Sequence, residues 1–194
     1  MERNYPSYDQ LLSELGTSNI NYDDLLSTTE WRNRRNEIVS RDKCICTNCG
    51  KSETIHHHDE RLWKHFNLWI EIDGIEDSQY VKGLGTVLKP KNLNITASSK
   101  PFYLHVHHKY YVINRLPWEY KDSALVTLCN WCHWELHKNE KVQVYLEDGV
   151  TVANYNLCIR CNGAGWFPEY KHVEGGVCFK CRGSRFDQPL IFNS

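Results

Sequence analysis

Eight of the nine cysteines in this 194-residue chain fall into four C-x-x-C pairs: Cys46/Cys49, Cys129/Cys132, Cys158/Cys161 and Cys178/Cys181. No other feature restricts the fold so strongly. Two sulfurs three residues apart on a tight turn supply two corners of a tetrahedron, and a second such turn completes it. The chain starts MERNYPSYDQ, without the charged-then-apolar pattern of a secretion signal. In that setting such pairs read as zinc sites rather than disulfides. Eight thiolates make two four-cysteine sites, hence two structural Zn2+ ions. Cys44 is left over; in C-I-C-T-N-C it could displace Cys46, but the two-residue spacing selects Cys46.

The bulk composition permits one medium domain or two small ones. Hydrophobic residues make up 41% of the chain, with 7 Trp and 11 Tyr, so aromatics supply much of the burial. No run of 18 apolar residues exists, which excludes an apolar spanning helix. The expectation is a soluble, cytoplasmic protein with no membrane partner. Net charge is −1. Residues 1–30 hold six acidic and one basic side chain, a net of −5, so residues 31–194 carry +4. A basic body behind an acidic arm is compatible with a phosphate partner.

Along the chain, residues 1–28 read as an acidic arm with two short helices, YDQLLSEL and YDDLLS, separated by G-T-S-N. Ser27-x-x-Glu30 predicts a capping box ahead of a helix that ends near Arg41. On that helix Trp31 and Ile38 can face a core while Arg32, Arg34 and Arg35 stay solvated or meet phosphates. Residues 55–103 separate the first cysteine pair from a histidine-rich strand. Within them Leu62, Phe66 and Trp69 have helical spacing over DERLWKHFNLW, and WIEID alternates like a strand. G-I-E-D, G-L-G and K-P-K-N mark turns, and the run His56-His57-His58 reads as a surface turn. Residues 104–113 (LHVHHKYYVI) predict a strand, and a helix is expected from about Asn130 to His137 or a little beyond.

The chemistry concentrates in C-N-W-C-H-W-E-L-H, residues 129–137. His133 and His137 are four apart, so they share one helix face and can grip one ion. Cys132 lies about 100° round the helix from His133, which gives this short helix two metal-binding faces. Upstream, His105, His107 and His108 crowd one strand. His107 and His108 point to opposite sides of an ideal strand, so one can be a ligand while the other handles a proton.

Three blocks, W-R-N-R-R-N-E-I-V-S-R-D-K-C-I-C-T-N-C-G, L-H-V-H-H-K-Y-Y and P-W-E-Y-K-D-S-A-L-V-T-L-C-N-W-C-H-W-E-L-H, resemble the HNH endonuclease family in its zinc-stapled branch. The resemblance covers roughly residues 29–140. It implies an α+β chain with a small ββα-metal nuclease domain over residues 29–146, interrupted by the insertion at 55–103. By that pattern Cys46, Cys49, Cys129 and Cys132 hold one structural zinc. His107, His133 and His137 hold a catalytic divalent cation, and His108 is the general base. The cation is expected to be Mg2+ or Mn2+, and the imidazole shell also admits Zn2+ or Ni2+. His105 has no role in the pattern. The family's central Asn falls at Ala124, a departure that leaves the metal shell or the base less well fixed unless Asp122, Ser123 or a backbone carbonyl substitutes.

The C-terminal module, residues 150–194, contains C-I-R-C-N-G-A-G-W-F and G-V-C-F-K-C-R-G-S-R-F. It is similar to the cysteine-rich zinc domain of J-domain chaperones, which makes Cys158, Cys161, Cys178 and Cys181 the second zinc site, a ribbon-like module. Basic and aromatic residues surround it, a combination that suits a nucleic-acid surface. The expected activity is metal-dependent hydrolysis of phosphodiester bonds in DNA, duplex above all. Arg32, Arg34, Arg35, Lys109, Arg160, Lys180, Arg182 and Arg185 are candidate DNA contacts. A protein partner could dock on the insertion or the C-terminal module. The competing reading is a catalytically weak zinc-binding adaptor for DNA or protein, with Ala124 as its basis.

Overall fold

The computed structural model describes residues 5–16, 20–57, 68–81 and 85–188. It is a mixed helix-and-strand protein. The order is α1 (Tyr8–Leu15), α2 (Tyr22–Leu26), α3 (Thr29–Arg41), β1 (Ile55–His57), β2 (Leu68–Val81), β3 (Gly85–Ser98), β4 (Leu104–His108), β5 (Tyr110–Val112), β6 (Leu125–Cys129), α4 (Asn130–Asn139) and β7 (Gln143–Tyr145). Among the described residues no helix is long and apolar enough to cross a membrane.

Contacts group the chain into two compact units. The first contains Met1–Arg35, His108–Leu125 and His133–Ser194. Its two short helices are held at their starts by reciprocal side-chain caps. Ser7 Oγ accepts from the Gln10 amide at 3.2 Å while Gln10 Oε1 accepts from the Ser7 amide at 2.8 Å. Asn21 and Asp24 repeat the arrangement at 3.1 and 2.9 Å. Each pair satisfies amides that a helix start leaves without intrahelical partners. At α3 the expected cap moves by one residue. Thr28 Oγ1, not Ser27, accepts from the Trp31 amide at 3.3 Å. The Ser27 hydroxyl instead donates to the Asp23 carbonyl at 3.0 Å. Glu30 points elsewhere as well, accepting from the Tyr8 amide at 3.0 Å. The core of this unit joins Tyr22, Tyr111, Val142, Val144, Ala153, Tyr155 and Phe186, beside a parallel β5–β7 pair.

The second unit contains Asn36–His107 and Val126–Cys132. Strands β1, β2 and β3 form a three-stranded antiparallel sheet in that order. G-I-E-D and K-P-K-N do not break it as turns. They lie inside β2 and β3, where the register shifts between Asp73 and Ile75 and again between Ile75 and Asp77. Glycine and proline are thus absorbed as bulges in a long hairpin. His56 and His57 are in β1 rather than in a turn, and His58 lies outside the described residues. So does most of the expected DERLWKHFNLW helix, whose last two residues begin β2.

The hairpin that leads into α4 is built from β4 and β6. The Lys109 amide bonds the Ala124 carbonyl at 2.9 Å, and the Asn130 amide bonds the Tyr103 carbonyl at 2.8 Å, so the two strands run antiparallel. The expected single strand over 104–113 is two strands, β4 and β5. α4 follows β6 directly.

Asp42, just past α3, ties the first cysteine turn to β6. Its carboxylate accepts from the Thr127 amide at 2.9 Å and from the Arg41 guanidinium at 2.8 Å. Burial alone would raise this carboxyl, but the Arg41 and Thr127 hydrogen bonds outweigh it and hold the group below the ordinary carboxylate range. A depressed folded-state value means that the stabilisation is complete above the unfolded-state value of about 3.9 and is lost as pH falls through the folded one. Asp42→Asn is expected to cost about 1–3 kcal/mol at neutral pH. The difference from the native chain should narrow below about pH 4, as read by denaturant melts of both chains across pH.

Candidate metal centre

Three groups of metal-ligating side chains assemble. Cys46, Cys49, Cys129 and Cys132 form one, Cys158, Cys161, Cys178 and Cys181 another, and His107, His133 and His137 a third. Within each group the ligand atoms all lie within 4.8 Å of one another.

The two cysteine groups could hold structural zinc ions, and their geometry fits the metal. Zinc with sulfur at about 2.3 Å in a tetrahedron requires sulfur–sulfur edges of roughly 3.8 Å. Cys49–Cys129, Cys158–Cys178 and Cys161–Cys181 are 3.7, 3.8 and 3.6 Å apart. The thiols also need a cation to ionise together. In the second group Cys181 is drawn down to about 5, chiefly by a hydrogen bond from Cys161, while donating that bond and burial push the Cys161 thiol up. A dication held by Cys158, Cys161, Cys178 and Cys181 would take the place of the shared protons and let all four sulfurs ionise. The first group behaves alike. Burial raises Cys129, while at Cys46 nearby backbone amides overcome burial and lower the thiol. Cys44 stands outside both groups, with its own amide bonded to the Val39 carbonyl at 2.8 Å.

The turns that carry these sulfurs are local consequences of the sequence. The Cys46 amide bonds the Lys51 carbonyl, and Gly50, at φ 72°, returns its amide to the Cys46 carbonyl at 2.8 Å. Thr47 attaches this turn to β6 by donating both its amide and its hydroxyl to the Thr127 carbonyl, at 3.0 and 2.9 Å. In the C-terminal module the Cys158 amide bonds Arg185 and the Cys178 amide bonds Gly165, so each knuckle closes on the end of the other.

The histidine group is buried: His107, His133 and His137 are 3%, 3% and 1% exposed. One turn of α4 brings the Nε2 atoms of His133 and His137 to 3.2 Å. Two imidazoles on a tetrahedral zinc have nitrogens roughly 3.3 Å apart, so the pair is spaced to share an ion. The C-terminal knuckle packs beside them. Trp166 stacks on His133 at 6.2 Å between centroids. Asn162 Nδ2 donates to the His137 carbonyl. Gly163, at φ 85°, lets the turn approach, since a side chain there would collide with Leu157 and come within 3.5 Å of His137 Nδ1.

His108 occupies an aromatic box. Trp31 and Tyr111 stack on it at 5.1 and 5.6 Å, Tyr120 meets it edge-on at 4.7 Å and Tyr22 at 6.4 Å. Its Nε2 lies 2.9 Å from the Pro117 carbonyl and its Nδ1 lies 3.3 Å from the Tyr22 hydroxyl. A carbonyl only accepts, so the neutral ring carries its proton on Nε2 and offers Nδ1 as the acceptor. Burial lifts the Tyr22 phenol well above its usual range, keeping the hydroxyl protonated as the donor. The ring is 2% exposed. From the sequence either adjacent strand carbonyls or the P-W-E-Y loop could fix the tautomer, and the loop does so through Pro117; Tyr22 and Trp31 have no spacing that ties them to His108.

The remaining predicted site residues divide. Arg160, Lys180 and Arg182 are exposed on the C-terminal module, and Lys109 is exposed with Nζ donating to the Ser123 carbonyl at 2.8 Å. Arg32 lies over Tyr5 at 4.3 Å, and Arg35 is half-buried. Arg34 donates to the Tyr120 carbonyl at 2.8 Å and pairs with Asp122 at 2.5 Å. Arg185 bonds the Tyr111 hydroxyl at 2.8 Å and covers Tyr22 at 4.7 Å. The last two are used inside the fold. His105 is half-buried and belongs to no metal group among the described residues. Ala124 is buried, and its carbonyl receives the Lys109 amide.

Comparison of the chain with protein-family models, curated proteins and solved structures returned no match.

Structural zinc in such small modules accounts for about 10–16 kcal/mol of apparent binding energy. Cys161→Ser is therefore expected to lower the zinc content by one equivalent and to open the C-terminal module. Elemental analysis and limited trypsin digestion would show this as lost metal and early cleavage at Arg160 or Lys180.

Proposed function

We propose that the chain is a metal-dependent endonuclease of the HNH type, acting on DNA phosphodiesters. The observation that carries this reading is the placement of His107 at the end of the β4–β6 hairpin, with His133 and His137 on the helix that follows. Strand, strand and helix in that order, with imidazoles gathered at one point, is the arrangement a ββα-metal site requires. His107, His133 and His137 would hold the ion; when bound, a divalent cation there polarises the phosphoryl oxygens and supports the leaving oxygen.

His108 is the general base in this reading. The Pro117 carbonyl fixes its tautomer, so proton abstraction from water runs through Nδ1. That nitrogen faces the Tyr22 hydroxyl, the group that a substrate water would have to replace. Asp122 and Ser123, named as substitutes for the missing Asn, are exposed beside Ala124. Asp122 is paired with Arg34, so the Ala124 carbonyl is the group that fixes the hairpin end.

A second reading, a zinc-binding adaptor without strong catalysis, is favoured by one observation: both ring nitrogens of His108 are engaged and the ring is 2% exposed. Nicking of supercoiled plasmid separates the two. The nuclease reading expects cleavage with Mn2+ or Mg2+ that EDTA stops. His108→Gln, which can still donate to Pro117, should lose about 10²–10⁴ in rate with zinc content unchanged. Tyr22→Phe keeps the packing and removes the hydroxyl from Nδ1, so it should cut at least as fast as the native chain. Absence of metal-dependent cleavage by both the native and the Tyr22→Phe proteins would leave the adaptor reading standing.

A further inference from the structure

The C-terminal module carries a cleft that the cleavage chemistry does not use. Its volume is about 340 Å³, and it is lined by Arg160, Phe167, Tyr170, Val173, Val177 and Phe179. Small-ligand pockets run from about 300 to 1,000 Å³, so this one has room for a single flat ring system and not for a folded segment. Phe179 and Tyr170 are 53% and 57% exposed, a high value for large aromatic side chains. Core packing does not account for it: the module's interior is supplied by the four sulfurs, Ala164, Trp134 and Phe167.

The charge beside these rings is positive. The Arg160 guanidinium lies 5.7 Å from the Phe167 centroid and 5.8 Å from that of Phe179. Stacking uses the faces of the guanidinium and leaves its N–H donors, which lie in its plane, directed outward for an acceptor. Lys180 and Arg182 follow Phe179 in the chain and are exposed. Residues 157–188 hold five Lys or Arg against three Asp or Glu. An exposed ring next to a guanidinium matches an unpaired nucleotide, whose base stacks on the ring's open side while its phosphate meets the guanidinium. In a duplex the bases are already stacked on each other and present no face. An apolar peptide would use the rings but would have no acceptor for Arg160.

We propose that this cleft binds an unpaired nucleotide of single-stranded nucleic acid, with Phe179 and Tyr170 as stacking faces and Arg160 on the adjoining phosphate. The site stands independently of the cleavage reaction. It would let the protein prefer frayed, displaced or single-stranded regions of its target.

Fluorescence anisotropy with a labelled twelve-residue oligothymidine and a labelled duplex of equal length, without added Mg2+ or Mn2+, tests this on the full chain. The native protein should bind the single strand more tightly than the duplex. Phe179→Ala should weaken single-strand binding about 5- to 100-fold, with duplex binding unchanged within twofold and zinc content intact. Phe179→Trp should retain single-strand binding, which separates stacking from loss of fold. Arg160→Ala should weaken single-strand binding and flatten its salt dependence. Single-strand affinity that survives Phe179→Ala, or equal affinity for single strand and duplex, overturns the proposal. So does binding of a reduced, unfolded polypeptide that Phe179→Ala abolishes while oligothymidine does not bind. Loss of plasmid nicking with intact, Phe179-dependent oligothymidine binding would count against the nuclease reading alone.

Discussion

The crowding of four thiols at one point is the constraint around which the fold is organised. Four sulfurs within 4.8 Å of one another cannot all ionise unless a dication sits among them, and once it does the cost of separating them is large. The first group unites residues 46–49 with residues 129–132 and so closes a loop of 80 positions between Cys49 and Cys129. The neck of the insertion is closed separately. The Thr54 amide bonds the Phe102 carbonyl at 3.0 Å, and the Phe102 amide returns to Thr54 Oγ1 at 2.9 Å. The chain thus enters and leaves the β1–β3 sheet at one place, next to the segments that carry the candidate metal ligands. Asn130 reinforces the neck from the start of α4, its side-chain oxygen accepting from the Tyr103 amide at 2.9 Å.

A second constraint acts on His108. Imidazole in an apolar box is tolerated only if both nitrogens are satisfied, and here a carbonyl and a phenol do so from opposite ends. The residues that build the box come from α2, α3, β5 and the loop after Pro117, so the acidic N-terminal arm is part of the histidine's surroundings. Arg34, reaching from α3 to the Tyr120 carbonyl and Asp122, fixes the same loop. Tyr120 is held at its other end, its hydroxyl accepting from the Val112 amide at 2.8 Å. The box is therefore braced on several sides before any ligand is considered.

What could be read from the sequence follows from range. The C-x-x-C turns, the short helices α1 and α2, and the shared face of His133 and His137 are set by local spacing, and the residue pattern reveals them. The cap of α3 falls one position beyond the expected Ser27 because Ser27 and Thr28 offer the same hydroxyl acceptor, and only the backbone decides which one faces the Trp31 amide. In the insertion the WIEID strand is local and legible, whereas G-I-E-D and K-P-K-N lie in strands and not in turns, because glycine and proline break short strands but fit bulges in long ones. The sealing of His108 and the internal use of Arg34 and Arg185 depend on partners tens of residues away. An arginine's sequence neighbours do not say whether it meets solvent, a phosphate or a tyrosine.

Arg185 shows how such long-range demands reshape a local pattern. The two C-terminal knuckles repeat at a spacing of 20: Cys158, Cys161, Asn162, Gly163 and Gly165 correspond to Cys178, Cys181, Arg182, Gly183 and Arg185. Backbone angles match as well, with φ of 85° and 82° at Gly163 and Gly183, and 80° and 73° at Gly165 and Arg185. The first knuckle fills the last position with glycine, the residue that adopts this conformation without steric cost. The second fills it with arginine at a cost of roughly 1–2 kcal/mol. Its stacking over Tyr22 and its hydrogen bond to Tyr111 offset that cost. Tyr22 in turn faces Nδ1 of His108. Arg185 is thus the point where the C-terminal cysteine module joins the aromatic box, and its strained backbone accompanies the contacts that hold Tyr22 against Nδ1 of His108.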